Sequence, residues 1–595
     1  MHFPSLAEAG RKAQRAAARF PFVVAAGALA TIGASLAVAG DDDPWVRVTL
    51  AALMGVPLFL SIALWAERHA LTRRAAFLYA GAGLLLPLAF FLVSDGWSET
   101  LLMTRFLHLE IGLHLMVAVV AFLGRPAGSG FWQYNRTLFI RFLTGALFTA
   151  VLFAGLALAL VALEKLFGID IDSDLYLHLF WLLTFLFSPW YFVAGVPADM
   201  DALDRREDYP IGLKVFAQFI LIPLVTVYLL ILTSYLGRIL VTRTWPSGWI
   251  GWLVSGVAVT GTLALLLVHP LRDREDSRWV DAYGRWFYVA LLPSVAMLLI
   301  AIGQRVGQYG FTERRYFLLV LAVVLAGIAI WYAVTASRNI RIIPATLMAA
   351  AFVTLVGPLS AYSVSRRSQL GRIEGVLARN GLLVQGRAVR ATSELSFEDR
   401  RDISGALIYM LAMHGIESVT ALLLGSVTAD PTPLERYQAE QRAGEILDSL
   451  GIAYVNRLAQ SEEAYFYVYP APDMAALPVT GYDWLLDGDL AFPLVIPIGA
   501  DTLRFQPMPG ALAFSIARNA EELIRADFSE PVVAAIATYR NTSDTRTFPR
   551  NLLIFQSEND RVAILVRVLQ LNGRRVAGVD SVQTAQARIL LRMKR

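Results

Sequence analysis

The chain has 595 residues, of which 56% are hydrophobic and 17% are charged. Soluble globular proteins have about 45–50% and 25%, so this composition excludes an ordinary soluble fold. The net charge of +4 is too small to predict nucleic-acid binding, and the absence of cysteine excludes disulfides, thiolate metal sites and thiol catalysis.

Apolar stretches of about twenty residues fill the N-terminal part of the chain, and a helix of that length crosses a bilayer core of roughly 30 Å. Since the backbone must satisfy its own hydrogen bonds in lipid, these stretches predict helices. The first follows a basic segment, Met1–Phe20, and is too long for the apolar core of a signal peptide, so it predicts a retained span. Eleven spans are predicted, near residues 20–40, 46–66, 75–94, 101–123, 138–163, 175–197, 211–236, 247–269, 286–304, 316–336 and 340–359.

The basic residues of the loops predict the orientation. Loops on the side of the N-terminus are rich in Lys and Arg, whereas the opposite loops hold only Lys165, Arg238, Arg243, Arg305, Arg314 and Arg315. The positive-inside rule therefore predicts a cytoplasmic N-terminus. With an odd number of spans, the C-terminal domain is predicted to lie outside the cytoplasm.

A soluble α+β domain is predicted over residues 360–595, after a transmembrane helical bundle over residues 1–359. Three helices are predicted, over Ser363–Arg379, Leu395–His414 and Pro433–Leu450, with Ser396 capping the second and glycines ending the last two. Strand patterns follow at Glu463–Tyr469, Ala511–Ile516, Val532–Tyr539, Asn551–Gln556, Val562–Leu571 and Ala587–Arg592. Turns are predicted at residues 558–560 and at Asn572 with Gly573.

Four ionisable residues lie on the fourth predicted span, where charge is costly and suggests function. Glu110 and His114 share one helix face near the midplane, while Arg105 and His108 lie on roughly the opposite side. One hypothesis is an ion or proton pathway, because histidine titrates near neutral pH. The alternative is a polar pair that joins helices. Under either hypothesis we expect Glu110 and His114 to face protein and not lipid.

The seventh predicted span contains a proline near its middle, Pro223, which predicts a kink. Gln218 and Tyr228 belong to its polar complement. Kinked helices line many transporter sites, but prolines also occur in plain membrane helices, so both interpretations stay open.

The loop between the ninth and tenth spans combines aromatic and charged residues. Tyr309, Glu313 and Arg315 are candidates either for binding lipid headgroups or for bracing the C-terminal domain. No nucleotide-binding, hydrolase or metal-spacing motif is present, so no catalytic residue, metal site or cofactor is predicted, and nothing in the sequence favours an enzyme.

Several of these segments together resemble a known family. Phe131–Arg141, Lys214–Tyr235, Tyr309–Tyr316 and Arg366–Gly386, followed by the helix ending at His414, are similar to the bacterial membrane family catalogued as domain of unknown function 4153. The resemblance extends from about residue 130 to 590, and the first three helices contribute little. It implies a multi-pass protein of the bacterial inner membrane with a soluble C-terminal part. It implies no activity.

Two functions are consistent with these features. In the first, the helices form a transport or lipid-handling unit. In the second, the protein is a non-transporting scaffold or sensor whose C-terminal domain binds envelope proteins. An enzyme acting on lipid-linked substrates is a third option without visible catalytic residues. The expected partners are membrane lipids, with an envelope protein or a second copy of the chain, and no nucleic acid.

Overall fold

The computed structural model describes residues 6–39, 43–124, 130–206, 208–242, 250–273, 279–335, 337, 339–423, 434, 436–455, 464–470, 479–489, 493–498, 501–508, 512–532, 545–548, 554–576 and 579–594. The chain divides into two compact units, Met1–Ser368 and Gln369–Arg595. The predicted boundary, between residues 359 and 360, falls nine residues before this division.

In the described residues of the first unit, all regular secondary structure is helical. The apolar stretches of the sequence form these helices because a helix satisfies all of its backbone hydrogen bonds within the segment. Its helices are α1 Leu6–Arg19, α2 Pro21–Ala39, α3 Asp43–Arg68, α4 Arg73–Gly83, α5 Leu85–Val93, α6 Glu99–Val120, α7 Gly130–Phe167, α8 Asp174–Trp181, α9 Ser188–Val193, α10 Met200–Asp204, α11 Ile211–Val215, α12 Ile222–Thr242, α13 Ile250–Val268, α14 Trp279–Tyr309, α15 Glu313–Thr335 and α16 Ile342–Val353. A further helix, α17 (Ala361–Arg379), begins in the first unit and ends in the second.

Ten helical segments in the described residues are long and apolar enough to cross a membrane, which confirms the predicted class of fold. They are Pro21–Val38, Pro44–Arg68, Arg73–Val93, Glu99–Val120, Gly130–Phe167, Asp174–Val193, Ile211–Thr242, Gly251–Arg272, Trp279–Tyr309 and Glu313–Thr335. The eleventh predicted span, 340–359, is wrong as a full-length helix. Only Ile342–Val353 is helical there, about 18 Å at 1.5 Å per residue, because the chain turns after Val353 ahead of Pro358.

The two ends of the bundle are marked by ion pairs. Arg19 pairs with Glu67 at 2.7 Å where α2 begins and α3 ends, and we call this the proximal end. Arg47 pairs with Asp95 at 2.8 Å where α3 begins and just before α6, and we call this the distal end.

The segment around α16 connects these two ends. The guanidinium of Arg341 lies 5.6 Å from the ring centre of Phe122 and 5.5 Å from that of Phe131, both at the proximal end. At the other end of the segment, Tyr362 contacts Arg105 near the start of α6, at the distal end. Residues 341–362 therefore run from the proximal to the distal end of the bundle, although their helix is short.

Two helices of the bundle widen into π-helical turns, at Leu182–Phe187 and at Phe216–Leu221. Each π-helical turn ends two residues before a proline, Pro189 and Pro223. A proline has no N–H to donate to the carbonyl four residues earlier, and its ring collides with that carbonyl in a regular α-helix. The wider turn relieves this collision, so the predicted irregularity at Pro223 takes the form of a π-helical turn.

The second unit contains a small helical part and two larger sheets. Its helices are α18 Phe397–His414, α19 Glu417–Leu423 and α20 Arg436–Ser449, and its short hairpin is β1 Leu383–Val384 with β2 Arg387–Ala388. The predicted cap is present, because the Ser396 hydroxyl accepts a hydrogen bond from the Asp399 N–H at 3.1 Å. Gly415 and Gly451 follow their helices with φ of 72° and 69°.

The remaining strands of the second unit are β3 Ala464–Pro470, β4 Trp484–Asp489, β5 Leu494–Ile498, β6 Asp501–Pro507, β7 Ala513–Arg518, β8 Glu521–Asp527, β9 Thr545–Phe548, β10 Ile554–Glu558, β11 Val562–Val576 and β12 Val579–Met593. One sheet has the order β4-β12-β11-β3-β9, with β10 also paired to β11, and the other has the order β5-β6-β7-β8. The two sheets share one apolar core that includes Phe514, Val566 and Leu591.

Several predicted strands agree with this arrangement, and one predicted turn is wrong. Asn572 and Gly573 lie inside β11, at a β-bulge, where Asn572 pairs with Tyr467 of β3. Pairing on both sides of β11 outweighs the local preference of these two residues for a turn. The predicted strand Val532–Tyr539 lies outside the described residues from 533 onward. Strands β4, β5, β6, β8 and β9 were not predicted.

Candidate functional site

Arg105 lies on α6, two turns from its Ser98 cap, and is held between two aromatic rings. Its guanidinium carbon is 4.3 Å from the ring centre of Trp97 and 4.3 Å from that of Tyr362. Such a cation–π contact contributes about 2 kcal/mol when the charge is shielded from water. The Nε atom of Arg105 is buried and forms no hydrogen bond within the described residues.

Glu313 supplies the negative charge of this site. It is the first residue of α15, is only 3% exposed, and interacts electrostatically with both Arg105 and Tyr362. Charged residues are almost never this buried without an opposite charge close by. We call Trp97, Arg105, Glu313 and Tyr362 the Arg105 cluster. It joins α6, α15 and the first turn of α17 at the distal end.

His108 lies one turn further along α6 and extends the cluster into the bundle. Its Nε2 is 2.8 Å from the carbonyl oxygen of Ala351 and 3.2 Å from the hydroxyl of Thr354. Because a carbonyl only accepts, Nε2 carries the hydrogen. The ring packs edge-on against Phe317 at 4.6 Å, and the residue is 8% exposed. His108 therefore attaches α6 to the end of α16.

Glu110 and His114 form the pair that their spacing predicts. The His114 Nδ1 atom is 3.1 Å from Glu110 Oε2 and 2.8 Å from the Glu110 carbonyl oxygen. The Glu110 side chain is 14% exposed and that of His114 is 66% exposed. The expectation that both side chains face protein is therefore wrong for His114, because the neighbouring helices cover only the Glu110 side of the pair.

The candidates on the seventh span do not come together. Gln218 lies in the π-helical turn, and its amide nitrogen is buried without a hydrogen bond to the described part of the chain. Pro223 and Tyr228 are exposed on the helix surface. The polar contact of this helix is instead made by Thr226, whose hydroxyl is 3.1 Å from the hydroxyl of Tyr283.

The distal loop, between α14 and α15, and the first turn of α15 form hydrogen bonds with α17 and with the segment just before it. The N–H of Phe311 donates to the Ser368 hydroxyl at 2.9 Å, and the Tyr316 hydroxyl donates to the Leu359 carbonyl at 2.6 Å. Arg315 donates to the carbonyls of Tyr309 and Gly310, at 3.1 and 2.7 Å, within its own loop.

The structure therefore groups the candidate residues differently from the sequence prediction. Arg105, a candidate of the fourth span, and Glu313, a candidate of the loop, belong to one site. Trp97 and Tyr362 complete the site, although neither is among the candidates predicted from the sequence. Two aromatic residues next to helix termini are a weak signal, and nothing local indicates that they share one arginine. No group of three or more His, Asp or Glu side chains among the described residues is arranged to hold a metal ion.

The ten apolar helices of membrane-crossing length in the described part of the chain define an integral membrane protein. Within that class, the chain belongs to the family described as Domain of unknown function (DUF4153), whose model matches residues 26–395. The match confirms the resemblance but corrects its extent, since it includes the first helices and ends before α18. Every residue of the Arg105 cluster lies within the matched region.

A relative of the chain is Uncharacterized protein PM1469 of Pasteurella multocida (strain Pm70), which is 24% identical over 338 residues. This alignment covers 54% of the chain and 55% of the relative, so the chain matches about half the length of that protein. No solved structure matches the chain.

Proposed function

We propose that this protein is a scaffold or sensor of the bacterial inner membrane, in which the Arg105 cluster couples the helical bundle to the helix that leads into the C-terminal unit. The N-terminus lies in the cytoplasm and the C-terminal unit in the periplasm. The C-terminal unit binds an envelope protein there, while the bundle contacts membrane lipids.

The observation that carries this proposal is the position of Arg105 between Trp97 and Tyr362, in electrostatic interaction with the buried Glu313. Tyr362 is the second residue of α17, so the first turn of that helix is attached to α6 and α15 by a charge and two rings. A shift of α6 against α15 alters this attachment directly. Such a contact is suited to passing a change in the bundle to α17.

Two cavities in the described part of the bundle lie apart from the pair that an ion pathway would use. One apolar groove of about 70 Å³ is lined by residues of α2, α3 and α4, and a polar cavity of about 120 Å³ lies at the proximal ends of α13 and α14. Neither of them includes Glu110 or His114, the pair proposed for an ion pathway. His108, on the same helix as the pair, instead joins α6 to the end of α16.

The orientation is supported by the loop charges and by the path of residues 341–362. The loops on the side of the N-terminus carry most of the Lys and Arg. Because residues 341–362 return to the distal end, the first unit ends on the side opposite Arg19. A reporter that is active only in the periplasm, fused after residue 595, should give signal. Activity of a cytoplasmic reporter fused there would refute this orientation.

The test of the scaffold function is crosslinking in cells from the C-terminal unit. Tyr437 on α20 is 66% exposed and accepts a photo-crosslinking amino acid without disturbing the core. We expect a defined crosslink to an envelope protein, and a several-fold lower yield in the Arg105→Ala variant. Arg238→Ala removes an exposed arginine of α12 and is the matched control, with no expected change. No crosslinked protein, or equal yields in all three chains, would contradict the proposal.

A second candidate function, transport or lipid handling, is favoured by one observation, the Glu110–His114 pair within a membrane span. Proteoliposomes with an internal pH indicator test it. If the pair carries protons, the wild-type chain dissipates a pH gradient and Glu110→Gln does not. If the wild-type chain dissipates the pH gradient no faster than empty liposomes do, the pair does not transport protons.

A further inference from the structure

A polar cavity of about 120 Å³ opens where α13 ends and α14 begins, at the proximal end of the bundle. It is lined by two arginines, one aspartate and two tyrosines: Arg272, Arg285, Asp281, Tyr288 and Tyr332. A cavity of this size with several polar partners holds several water molecules or one tetrahedral group of comparable bulk.

Arg272 is the most enclosed charge of the cavity. Its side chain is 10% exposed, and its Nε forms a long ion pair with Asp281 Oδ1, at 3.4 Å. That Nε forms no hydrogen bond within the part of the chain described. The Asp281 side chain is 39% exposed, so it is less enclosed than the guanidinium that it faces.

Gly284 makes room for this guanidinium. A Cβ atom at position 284 would lie 2.6 Å from Nη2 of Arg272, which is closer than atoms of these types approach. The guanidinium therefore lies against the backbone of α14, and any larger residue at 284 must displace it.

The two tyrosines form a rigid wall. Tyr288 and Tyr332 are 3% and 5% exposed and stack at 4.9 Å with an angle of 16° between their rings. The Tyr332 hydroxyl donates to the Asn339 carbonyl at 2.7 Å, which fixes the stack on α15. A cavity with such a wall keeps its shape when empty, and binding then costs little ordering.

We propose that this cavity binds a phosphate group. Among the described residues that line the cavity, the two guanidiniums exceed the one carboxylate by one positive charge. Planar guanidinium forks match the oxygens of a phosphate. Arg272 ends one membrane span, and Arg285 lies in the second turn of the next. These depths coincide with the layer where lipid headgroups meet the helices, so the phosphate belongs either to an anionic phospholipid or to a free phosphate ion.

The experiment uses the full chain purified in a maltoside detergent, which contains no phosphate. One arm titrates phosphatidylglycerol and reads bound lipid by native mass spectrometry. The other arm titrates inorganic phosphate and reads heat by calorimetry. The variant is Arg285→Gln. The matched control is Arg305→Gln, which removes the same charge from an exposed position on the same helix, outside this cavity. A third chain, Gly284→Ala, displaces Arg272 without changing any charge.

We expect saturable binding that weakens at least tenfold in Arg285→Gln and Gly284→Ala and is unchanged in Arg305→Gln. Binding in the lipid arm alone identifies a headgroup site, and binding in the phosphate arm identifies a site for the free ion. Absence of binding in both arms would overturn the proposal. So would an equal loss in Arg305→Gln, because that result would mean only a general charge effect. Equal unfolding temperatures of the four chains exclude misfolding as the cause.

Discussion

The guanidinium of Arg105 lies 4.3 Å from the ring centre of Tyr362, which joins the start of the fourth span to the start of α17. The two residues are far apart in the sequence, and their contact depends on residues 341–362 crossing the bundle to its distal end. Trp97 covers the other face of the guanidinium at the same distance. This contact holds the start of α17 at the distal end of the bundle.

Replacement of Arg105 tests the energy of this contact. We expect Arg105→Ala to lower the free energy of unfolding of the bundle by about 1–3 kcal/mol, because it removes two cation–π contacts and the charge opposite Glu313. Arg105→Lys keeps the charge but loses the planar group, so an intermediate loss is expected. Thermal unfolding in detergent measures both. Equal unfolding temperatures for Arg105→Ala and wild type would show that the cluster does not stabilise the bundle.

The loop carboxylate and the loop arginine should behave differently. Glu313 is buried and interacts electrostatically with Arg105, whereas Arg315 donates to carbonyls of its own loop. We expect Glu313→Ala to speed proteolysis between residues 360 and 380 severalfold and Arg315→Ala to change it by less than twofold. The bracing hypothesis assigned both residues the same role. Equal acceleration by the two variants would show that the loop as a whole, and not the buried charge, holds α17.

Substitution of Gly27 tests how closely α2 packs against the π-helical turn that precedes Pro189. A Cβ at position 27 would lie 2.4 Å from the carbonyl oxygen of Phe185, the carbonyl four residues before that proline. We expect Gly27→Ala to destabilise the bundle by about 1–3 kcal/mol through overpacking.

The control for this packing is Gly155→Ala on α7, where a Cβ meets nothing within 4 Å. Alanine is the better helix former by up to about 1 kcal/mol, so no loss is expected there. A similar unfolding temperature for the two variants would mean that α2 can move away from Phe185 at little cost.

Asp399 makes the second unit sensitive to acid. Burial alone would raise the pKa of Asp399, but hydrogen bonds from Arg379 and Asn380 and the contact with Ser396 outweigh it and lower the pKa. The carboxylate therefore stabilises the fold above its unfolded pKa of about 3.9, and this stabilisation is lost as pH falls through the lower folded value. We expect Asp399→Asn to lower the unfolding temperature at pH 7 and to flatten its decline below pH 4.

The matched variant for that titration is Asp448→Asn. Burial raises the pKa of Asp448, so its charge opposes folding at neutral pH and its removal should not lower the unfolding temperature. A decline below pH 4 that is the same in wild type and in Asp399→Asn would show that other carboxylates govern the acid response.

The bundle could be predicted from the sequence because span length and apolar content are local properties that lipid imposes on each helix separately. A full span was predicted where only the short α16 forms. The two ends of this segment are fixed by contacts with residues distant in the sequence, such as that of Arg341 with Phe122. The strand β11 shows the same effect in the second unit. Asn572 and Gly573 favour a turn locally, but the neighbouring strands keep them in the sheet.

The candidate site was predicted only in part for a similar reason. Arg105 and Glu313 stand out because charge within or beside an apolar segment is costly wherever it occurs. Their common site could not be predicted, because it requires the packing of α6 against α15 and the return of the chain to Tyr362. His114 was predicted to be covered, but helical spacing places it beside Glu110 without saying which side faces other helices.

The most direct test of the attachment of α17 to the bundle uses the absence of cysteine in the chain. The Phe311 N–H and the Ser368 hydroxyl are 2.9 Å apart, so cysteines at these two positions report whether the distal loop and α17 stay together. Disulfide formation between Phe311→Cys and Ser368→Cys should be fast in the otherwise wild-type chain, at least tenfold slower with Arg105→Ala, and unchanged with the control Arg238→Ala. Equal rates with and without Arg105→Ala would contradict the claim that the Arg105 cluster holds α17 to the bundle.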